Sequence, residues 1–484
     1  MLRRGIVSVT LGAMVLLTGT CLLSSPSSAE TIESALARAY QYNPQLDAQR
    51  AATRVTDENV PQALSGYRPK VGVTATIGEQ NTTYVQQSQI PADSNNIAGN
   101  PNGPTPAQTL NSTITGTVTP YSLGISGSQT LFNGFQTANR VRAAESQVSG
   151  ANEALRVMVQ TILLNAATIY MDVLRDTANL QIQQSNVRAL RDTLAQTRER
   201  FSVADVTRTD VSQAEAQLAA AGISLLTAEV TLQTSKANYF SIIGAEPKDL
   251  TPGAPVERFV PPTLPAAIDA AMVRNPNVTA ATFGIDVAHL QVKIAEGALY
   301  PTLAIQATAQ LSSEQQLLLP SQESTSVVAQ LSIPLYQGGS EYSLIRQSKE
   351  TLGQQRLNLD LTRNQTRVAV TQAWAQVNAA KGQIQKAQAQ VAASERALNG
   401  MREEVRFGQR TTFDVLNAEQ VLVNARVSLI VAQHDRVVAS YNLLAAVGGL
   451  SPQTLGISVP IYDPQVHYHQ VRDSWEGVRT PDGR

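Results

Sequence analysis

Apolar residues recur along this chain with two distinct periods. Between residues 136 and 246, and again between 340 and 448, they return every seven positions. Val173, Leu180, Val187, Leu194 and Phe201 form one seam, and Val377, Ile384, Val391, Leu398 and Val405 form its counterpart. Val211, Leu218, Leu225 and Leu232 continue the first, with Ala214, Ala221 and Ala228 at alternate sites. Val415, Leu422 and Leu429 continue the second, with Ala418, Ala425, Ala432 and Ala439. A strict seven-residue period predicts left-handed coiled-coil packing. Seams that alternate large residues with Ala let helices approach closely. No proline falls between Pro120 and Pro247 or between Pro334 and Pro452. Each stretch predicts a helix of roughly 60 residues, about 90 Å long at 1.5 Å per residue. A turn near 202–210 or 406–414 follows, then a helix of about 35 residues. Helices of this length cannot wrap one compact core and are expected to form long hairpins.

Ahead of each helical stretch the period is two. Leu303, Ile305, Ala307, Ala309 and Leu311 alternate with Ala304, Gln306, Thr308, Gln310 and Ser312. Val71, Val73, Ala75 and Ile77 alternate with Gly72, Thr74, Thr76 and Gly78. Val327, Ala329, Leu331 and Ile333 face away from Val328, Gln330 and Ser332, and Leu123 and Ile125 repeat the pattern more weakly. These read as four strands of about ten residues, in two hairpins. Alternation of apolar with small polar residues over about ten positions is the signature of outer-membrane barrel strands. A soluble antiparallel sheet covered by helices is the other reading of the same pattern. Tyr67, Tyr121, Phe132, Tyr300 and Tyr336 lie at or near strand ends, where an aromatic girdle belongs.

The two halves are copies of each other. Asn43-Pro44 returns as Asn275-Pro276 and Pro69 as Pro301, each 232 positions on. Leu131-Phe132-Asn133-Gly134 returns as Leu335-Tyr336-Gln337-Gly338, and Asp210-Val211 as Asp414-Val415, each 204 positions on. The first copy therefore carries 28 extra residues (232 − 204), in a region that includes the polar, Pro- and Asn-rich stretch from Ile90 to Pro106, which reads as a loop. The resulting layout has four parts. A first copy at 30–261 holds a helix, a β-hairpin at 67–132 with its long loop, and a helical hairpin at 136–246. A second at 262–450 holds a helix, a β-hairpin at 300–336 and a helical hairpin at 340–448. A leader at 1–29 precedes them and a tail at 451–484, placed in the periplasm, follows.

The leader has Arg3 and Arg4, then an apolar run from Ile6 to Leu23, then Ser27-Ser28-Ala29, which is the form of a secretory signal. A short anchor and acylation at Cys21 are the alternatives; Thr18-Gly19-Thr20 is a poor lipobox. Without the leader the charge is 35 − 38 = −3 and no cysteine remains, so an exported chain is expected to hold together without disulfides. No later stretch approaches about 20 apolar residues, so no spanning helix is expected. Charged residues are 15% and aromatics 5% of the chain. That excludes a basic nucleic-acid binder, and no cluster of Cys and His can build a zinc site. No catalytic constellation or phosphate loop is present, so neither an enzyme nor a cofactor is expected. His467 and His469 sit two apart in the tail, open to a metal role or to plain solvation, and Trp374 lies within a helix where packing is expected.

Four strands cannot close a barrel, and open edges are not tolerated in hydrocarbon. Several copies would have to share one barrel. Two give eight strands, which their own side chains fill, whereas three give twelve and a lumen. The chain resembles the TolC family of outer-membrane efflux and type I secretion channels over essentially all of residues 31–450. The resemblance rests on the duplicated Asn-Pro, on Leu131-Phe132-Asn133-Gly134 and Leu335-Tyr336-Gln337-Gly338-Gly339, and on Phe407-Gly408-Gln409-Arg410-Thr411-Thr412-Phe413-Asp414-Val415-Leu416 at the second turn. It implies an α+β membrane protein, an internally duplicated protomer giving four strands to a shared 12-stranded outer-membrane β-barrel and long coiled-coil helices to a periplasmic α-barrel. It also implies a homotrimer in outer-membrane lipid, a periplasmic adaptor (membrane fusion) protein and an inner-membrane ABC or RND-type transporter. Thr209 and Asp210 match the family's partners for a gate arginine, and Arg410 matches that arginine. Asp414 matches an aspartate ringing a constriction, with Asn417 where a second such ring is common and Val405 where a gate tyrosine is common. Helix capping is the other reading of Asp210 and Asp414. A structural or adhesive coiled-coil surface protein is the alternative function, though a stalk needs no strand pairs.

Overall fold

The computed structural model describes residues 29–90, 108–316, 319–481 and 483. The leader at 1–29, apart from Ala29, and the polar stretch beyond Ile90 to Pro106 lie outside them. The chain runs α1 (Ile32–Tyr42), α2 (Pro44–Asp57), α3 (Asn59–Leu64), β1 (Lys70–Ile77), β2 (Gln80–Ile90), β3 (Gln108–Val118), β4 (Tyr121–Asn133), α4 (Gln136–Ser202) and α5 (Arg208–Ile243). The order then repeats with α6 (Leu264–Arg274), α7 (Pro276–Gly297), β5 (Thr302–Gln316), β6 (Leu319–Ser332), α8 (Ser340–Arg406) and α9 (Thr412–Ala446). Two short helices, α10 (Pro452–Leu455) and α11 (Pro464–Val471), end it.

The long helices α4 and α8 are 67 residues each, about 100 Å at 1.5 Å per residue. Each folds back on its partner, α5 or α9, as a two-helix coil. The alanines of the seams are the tight points. Ala214, Ala221, Ala228, Ala425 and Ala432 are buried, while Val211, Leu218 and Leu225 are only partly covered. Threonines along the helices donate their hydroxyls to the carbonyl four residues back, as Thr161, Thr168, Thr193, Thr227 and Thr231 do. That satisfies polar groups without leaving the helix. Contrary to the sequence expectation, α4 and α9 each contain an 18-residue window apolar enough by composition to span a membrane. Both windows belong to the packed hairpins, and Ile162, Leu163, Ala166, Ala167 and Tyr170 of α4 sit in the main hydrophobic cluster.

The strands form one four-stranded antiparallel sheet in the order β1-β4-β5-β6. Register places Val73 opposite Ile125, Ile125 opposite Ala309, and Ala307 opposite Val327, so one face is apolar. The other face is small and polar, with Thr76 bonded to Ser122 and Thr308 to Ser326. A bulge between Thr130 and Phe132 turns Phe132 onto the apolar face beside Leu303. Among the described residues no helix packs across this sheet, and Val71, Ile77 and Val327 are each more than 70% exposed. An apolar face this large and bare requires a partner, lipid or protein, and the helix-covered soluble sheet is thereby set aside.

The first hairpin is longer than its residue pattern predicts. Beyond a break at Gly78 and Pro120, where Gly78 N–H still bonds the Pro120 carbonyl, β2 and β3 pair from Gln80–Val118 to Ile90–Gln108. The 28-residue excess of the first copy thus holds a two-stranded ladder as well as the polar stretch.

Paired sequence motifs are explained by the way each copy closes. Asn43 caps α2 by accepting the Gln45 N–H, while its amide donates to the Ile242 carbonyl at the end of α5. Asn275 does the same for α7 and the Ala446 carbonyl of α9. Each Asn-Pro therefore starts one helix and ties down the end of another. At the strand-to-helix corner Gly134 has φ +64°, and a Cβ there would lie 2.3 Å from the Gly297 carbonyl oxygen, so only glycine fits.

The C-terminal residues are not a solvated tail. His467 is buried and its Nδ1 meets Asp57 at 2.8 Å. Burial lifts the Asp57 carboxyl above its usual range, opposed by the His467 bond. Tyr468 packs on Val60, Ala144 and Val148, and Arg472 pairs with Glu145.

Candidate functional site

The two turns at the far ends of the hairpins carry most of the sequence-assigned residues. Both are built alike, 204 positions apart. Thr207 caps α5, accepting the Asp210 N–H at 3.2 Å, while Asp210 accepts the Thr207 N–H at 2.8 Å and its hydroxyl at 2.7 Å. Thr411 and Asp414 make the same reciprocal box at 3.3, 3.0 and 2.9 Å. The sequence reading placed the capping function on the aspartates. The structure places it on the threonines, with each aspartate in the third helical position answering back. The Thr411 N–H, followed by its hydroxyl, holds the Asp414 carboxyl below the usual carboxylate range.

Arg410 is held within its own turn. Its Nε donates to Glu404 at 3.0 Å, and the structure does not bring it to Thr209 or Asp210 of the same chain. Thr209, Arg410 and Asn417 are exposed, whereas Asp210 and Asp414 are half-buried. The first turn carries an ion pair of opposite sense, Arg200 Nε to Asp205 at 2.6 Å. Position 200 corresponds to 404, so the helix end carries a cation in the first copy and an acid in the second, whereas Asp205 and Arg410 stand at adjacent rather than equivalent places (205 + 204 = 409). A second ladder binds each helix pair. Arg198 meets Glu215 at 2.6 Å and Arg402 meets Glu419 at 2.8 Å. Glu419 is buried, and its Oε2 has no partner among the described residues. It faces a cleft of about 620 Å³ between the two hairpins, shared with Arg200, Asp205, Arg406 and Val405. Leu416 of the second hairpin packs into the Val187, Leu190 and Leu194 seam of the first.

None of these pairs was legible as such, because each joins residues whose types recur all along the helices. The same holds for a cluster at the opposite end of the hairpins. His434 of α9 meets Asp172 of α4 and Asp435, both at 2.9 Å. Arg175 pairs with Asp172 and Asp176, and Asp176 accepts the Ser235 hydroxyl of α5. Burial opposes charge on the His434 ring, but the two carboxylate bonds outweigh it and hold its pKa above the usual range. This network ties the two copies together.

The aromatic residues divide between the sheet's two ends. Tyr67, Phe132, Tyr300 and Tyr336 lie at the helix-side foot, and Tyr121 lies eleven positions along β4 from Phe132. Eleven strand steps span roughly 37 Å, or about 25 Å in height at a 45° tilt, the thickness of a barrel's apolar band. No group of three metal-ligating side chains occurs among the described residues.

The family model for outer membrane efflux proteins matches residues 35–245 and again 267–449. The outer membrane efflux protein BepC of Brucella suis biovar 1 is 38% identical over 473 residues, 98% of this chain and 97% of that one. The outer membrane protein TolC of Escherichia coli K12 is 26% identical over 448 residues, 89% of this chain and 85% of that one. The Campylobacter jejuni CmeC outer membrane channel has the same fold, with a TM-score of 0.73 at 14% identity, covering 97% of this chain and 98% of that one. The relatives are transport proteins rather than enzymes. They place the sheet in the outer membrane and the helical hairpins in the periplasm. The chain belongs to the outer membrane efflux protein family.

Proposed function

We propose that three copies of this chain share one 12-stranded barrel and a continuous periplasmic helical tunnel, and that the tunnel closes at the helix turns. The observation that carries this is the open four-stranded sheet, apolar on one face, with all helices leaving from one end. Its edges support the closure. β1 runs away from the helical end and β6 runs toward it. A β6 edge therefore meets the next copy's β1 antiparallel, and the alternation continues around a ring. Twelve strands leave a lumen, which the face bearing Thr74, Ser126, Thr308 and Gln330 would line. The aromatic residues at the two sheet ends then serve as girdles.

In the closed state Arg410 of one copy pairs with Thr209 and Asp210 of a neighbour. The Glu404 contact is then the alternative resting place of the same guanidinium. Opening becomes an exchange of partners rather than the loss of one, and a single exposed pair is worth only about 0–1 kcal/mol. A periplasmic adaptor that fits the splayed turns better would shift the population, and an ABC or RND-type transporter would supply the cargo. Three Asp414 carboxylates at the constriction would favour cations. The test is conductance in planar bilayers. Arg410→Ala should raise single-channel conductance and Glu404→Gln should lower the open fraction; an Arg410→Ala channel that conducts like the parent refutes the gate. Asp414→Ala should weaken block by multivalent cations, and equal block removes Asp414 from the constriction.

A further inference from the structure

The C-terminal segment does more than brace the helices. Beyond α11 it reaches the foot of the sheet. Arg68, two residues before β1, donates from Nη1 to the Ser474 carbonyl, and its guanidinium lies over the Trp475 ring at 4.6 Å. Trp475 is 70% exposed, Val478 is fully exposed, and Tyr67 beside Arg68 is 49% exposed. The segment is delivered there by firm contacts. Val471 is buried, Arg472 pairs with Glu145, and His467 is locked to Asp57. An indole held in the open by a stacked cation has lost conformational freedom without gaining cover, so it is preorganised for a surface that it does not yet touch.

The position identifies that surface. Tyr67 and Arg68 sit at the end of the sheet where Phe132, Tyr300 and Tyr336 also lie, the helix-side limit of the membrane-facing band. Indoles prefer the zone between hydrocarbon and water, where the ring is buried and the N–H stays hydrated. Among the described residues only Nη1 of the Arg68 donors is engaged, and the rest can meet a phosphate. Asp473 and Glu476 flank Trp475, so net attraction to an anionic surface does not drive the contact. Insertion of the ring does, with Arg68 at headgroup level. We propose that Trp475, stacked on Arg68, is a membrane-interface anchor through which the C-terminal segment docks onto the periplasmic phospholipid surface of the outer membrane. The proposal rests on the sheet being the membrane-spanning part.

The chain has two tryptophans, Trp374 and Trp475, which makes the test direct. A Trp374→Phe protein is reconstituted in phosphatidylethanolamine–phosphatidylglycerol vesicles containing lipids brominated near the headgroup or deep in the chain. Shallow bromines should quench Trp475 emission about twofold and deep ones much less, as for an interfacial indole. Arg68→Gln should reduce the quenching. Absence of quenching at either depth overturns the anchor, whether the emission is that of an indole in water or of one covered by a neighbouring copy. Conductance of the same vesicles separates the outcomes, since conducting but unquenched channels reject the anchor and leave the channel reading intact. Should Trp374→Phe fail to fold, the parent protein labelled with 5-fluorotryptophan gives two resonances. Selective broadening of the Trp475 signal by headgroup spin-labelled lipid is then the same measurement.

Discussion

The two helical hairpins are one design executed twice, and they differ where charge is concerned. Each has a 67-residue helix, a reciprocal Thr–Asp box, a left-handed residue in the turn and an Arg–Glu pair across the coil. In the first turn the left-handed position is Ala204, φ 59°; in the second it is Gly408, φ 70°. The Arg198–Glu215 pair lies open to solvent, whereas Glu419 of the Arg402–Glu419 pair is buried. The turn ion pair reverses its sense, Arg200 to Asp205 against Glu404 to Arg410. Features that set the backbone have been kept, and features that set the local field have diverged. Duplicated hairpins can thus share a shape while the residue ahead of the cap threonine is Arg410 in one and Val206 in the other.

The sharpest test of this contrast is the repeated ion pair. Removing Arg402 strands the buried Glu419 carboxylate, whereas removing Arg198 frees a carboxylate already in water. Arg402→Ala should lower the local opening free energy of the α8–α9 tip by about 2 kcal/mol, allowing for the half-exposed arginine. Arg198→Ala should cost under about 1 kcal/mol at the α4–α5 tip. Native-state amide exchange reads both, and equal effects would erase the distinction. Next comes the left-handed residue. Gly408→Ala should destabilise its turn by about 1 kcal/mol, and Ala204→Gly should stabilise the other by a similar or smaller amount, since only the second position now lacks the Cβ penalty. The smallest effect is acid sensitivity. Because the Asp414 pKa is depressed on folding, its contribution is present at neutral pH and is lost as pH falls through and below the usual carboxylate range. Exchange of the Thr411 amide should accelerate there; an unchanged rate down to the lowest pH at which the protein stays folded would contradict the Thr411–Asp414 bond.

What could be read from the sequence follows physical range. Seven-residue periods and proline-free runs gave the long helices, because coiled-coil geometry is written locally at every turn. Period two gave β1, β4, β5 and β6, because one face of each meets an apolar surroundings. The ladder of β2 and β3 escaped, since Gln80–Ile90 is largely Thr, Gln and Asn on both faces and β3 offers only Leu110, Ile114 and Val118, every fourth residue, on one. The docking of His467 on Asp57 joins residues 410 positions apart and leaves no local trace. At the turns, the positions were legible through duplication, but the roles were not. Asp210 and Asp414 looked like caps, and only coordinates show that Thr207 and Thr411 begin the helices. Likewise nothing in the pattern marks Glu404, rather than any other glutamate, as the partner of Arg410.

The asparagines that start α2 and α7 have a consequence for how such a chain could arise. Asn43 is bonded to Ile242 and Asn275 to Ala446, so the beginning and the end of each half already touch. A unit whose termini are neighbours can be copied in tandem with only a short connecting segment, because neither end must travel to find the next. Such a unit also tolerates being reopened elsewhere. A permuted chain that joins the old ends and starts at a helix turn would keep every contact of the coil, leaving the ancestral order of elements a historical accident rather than a structural demand.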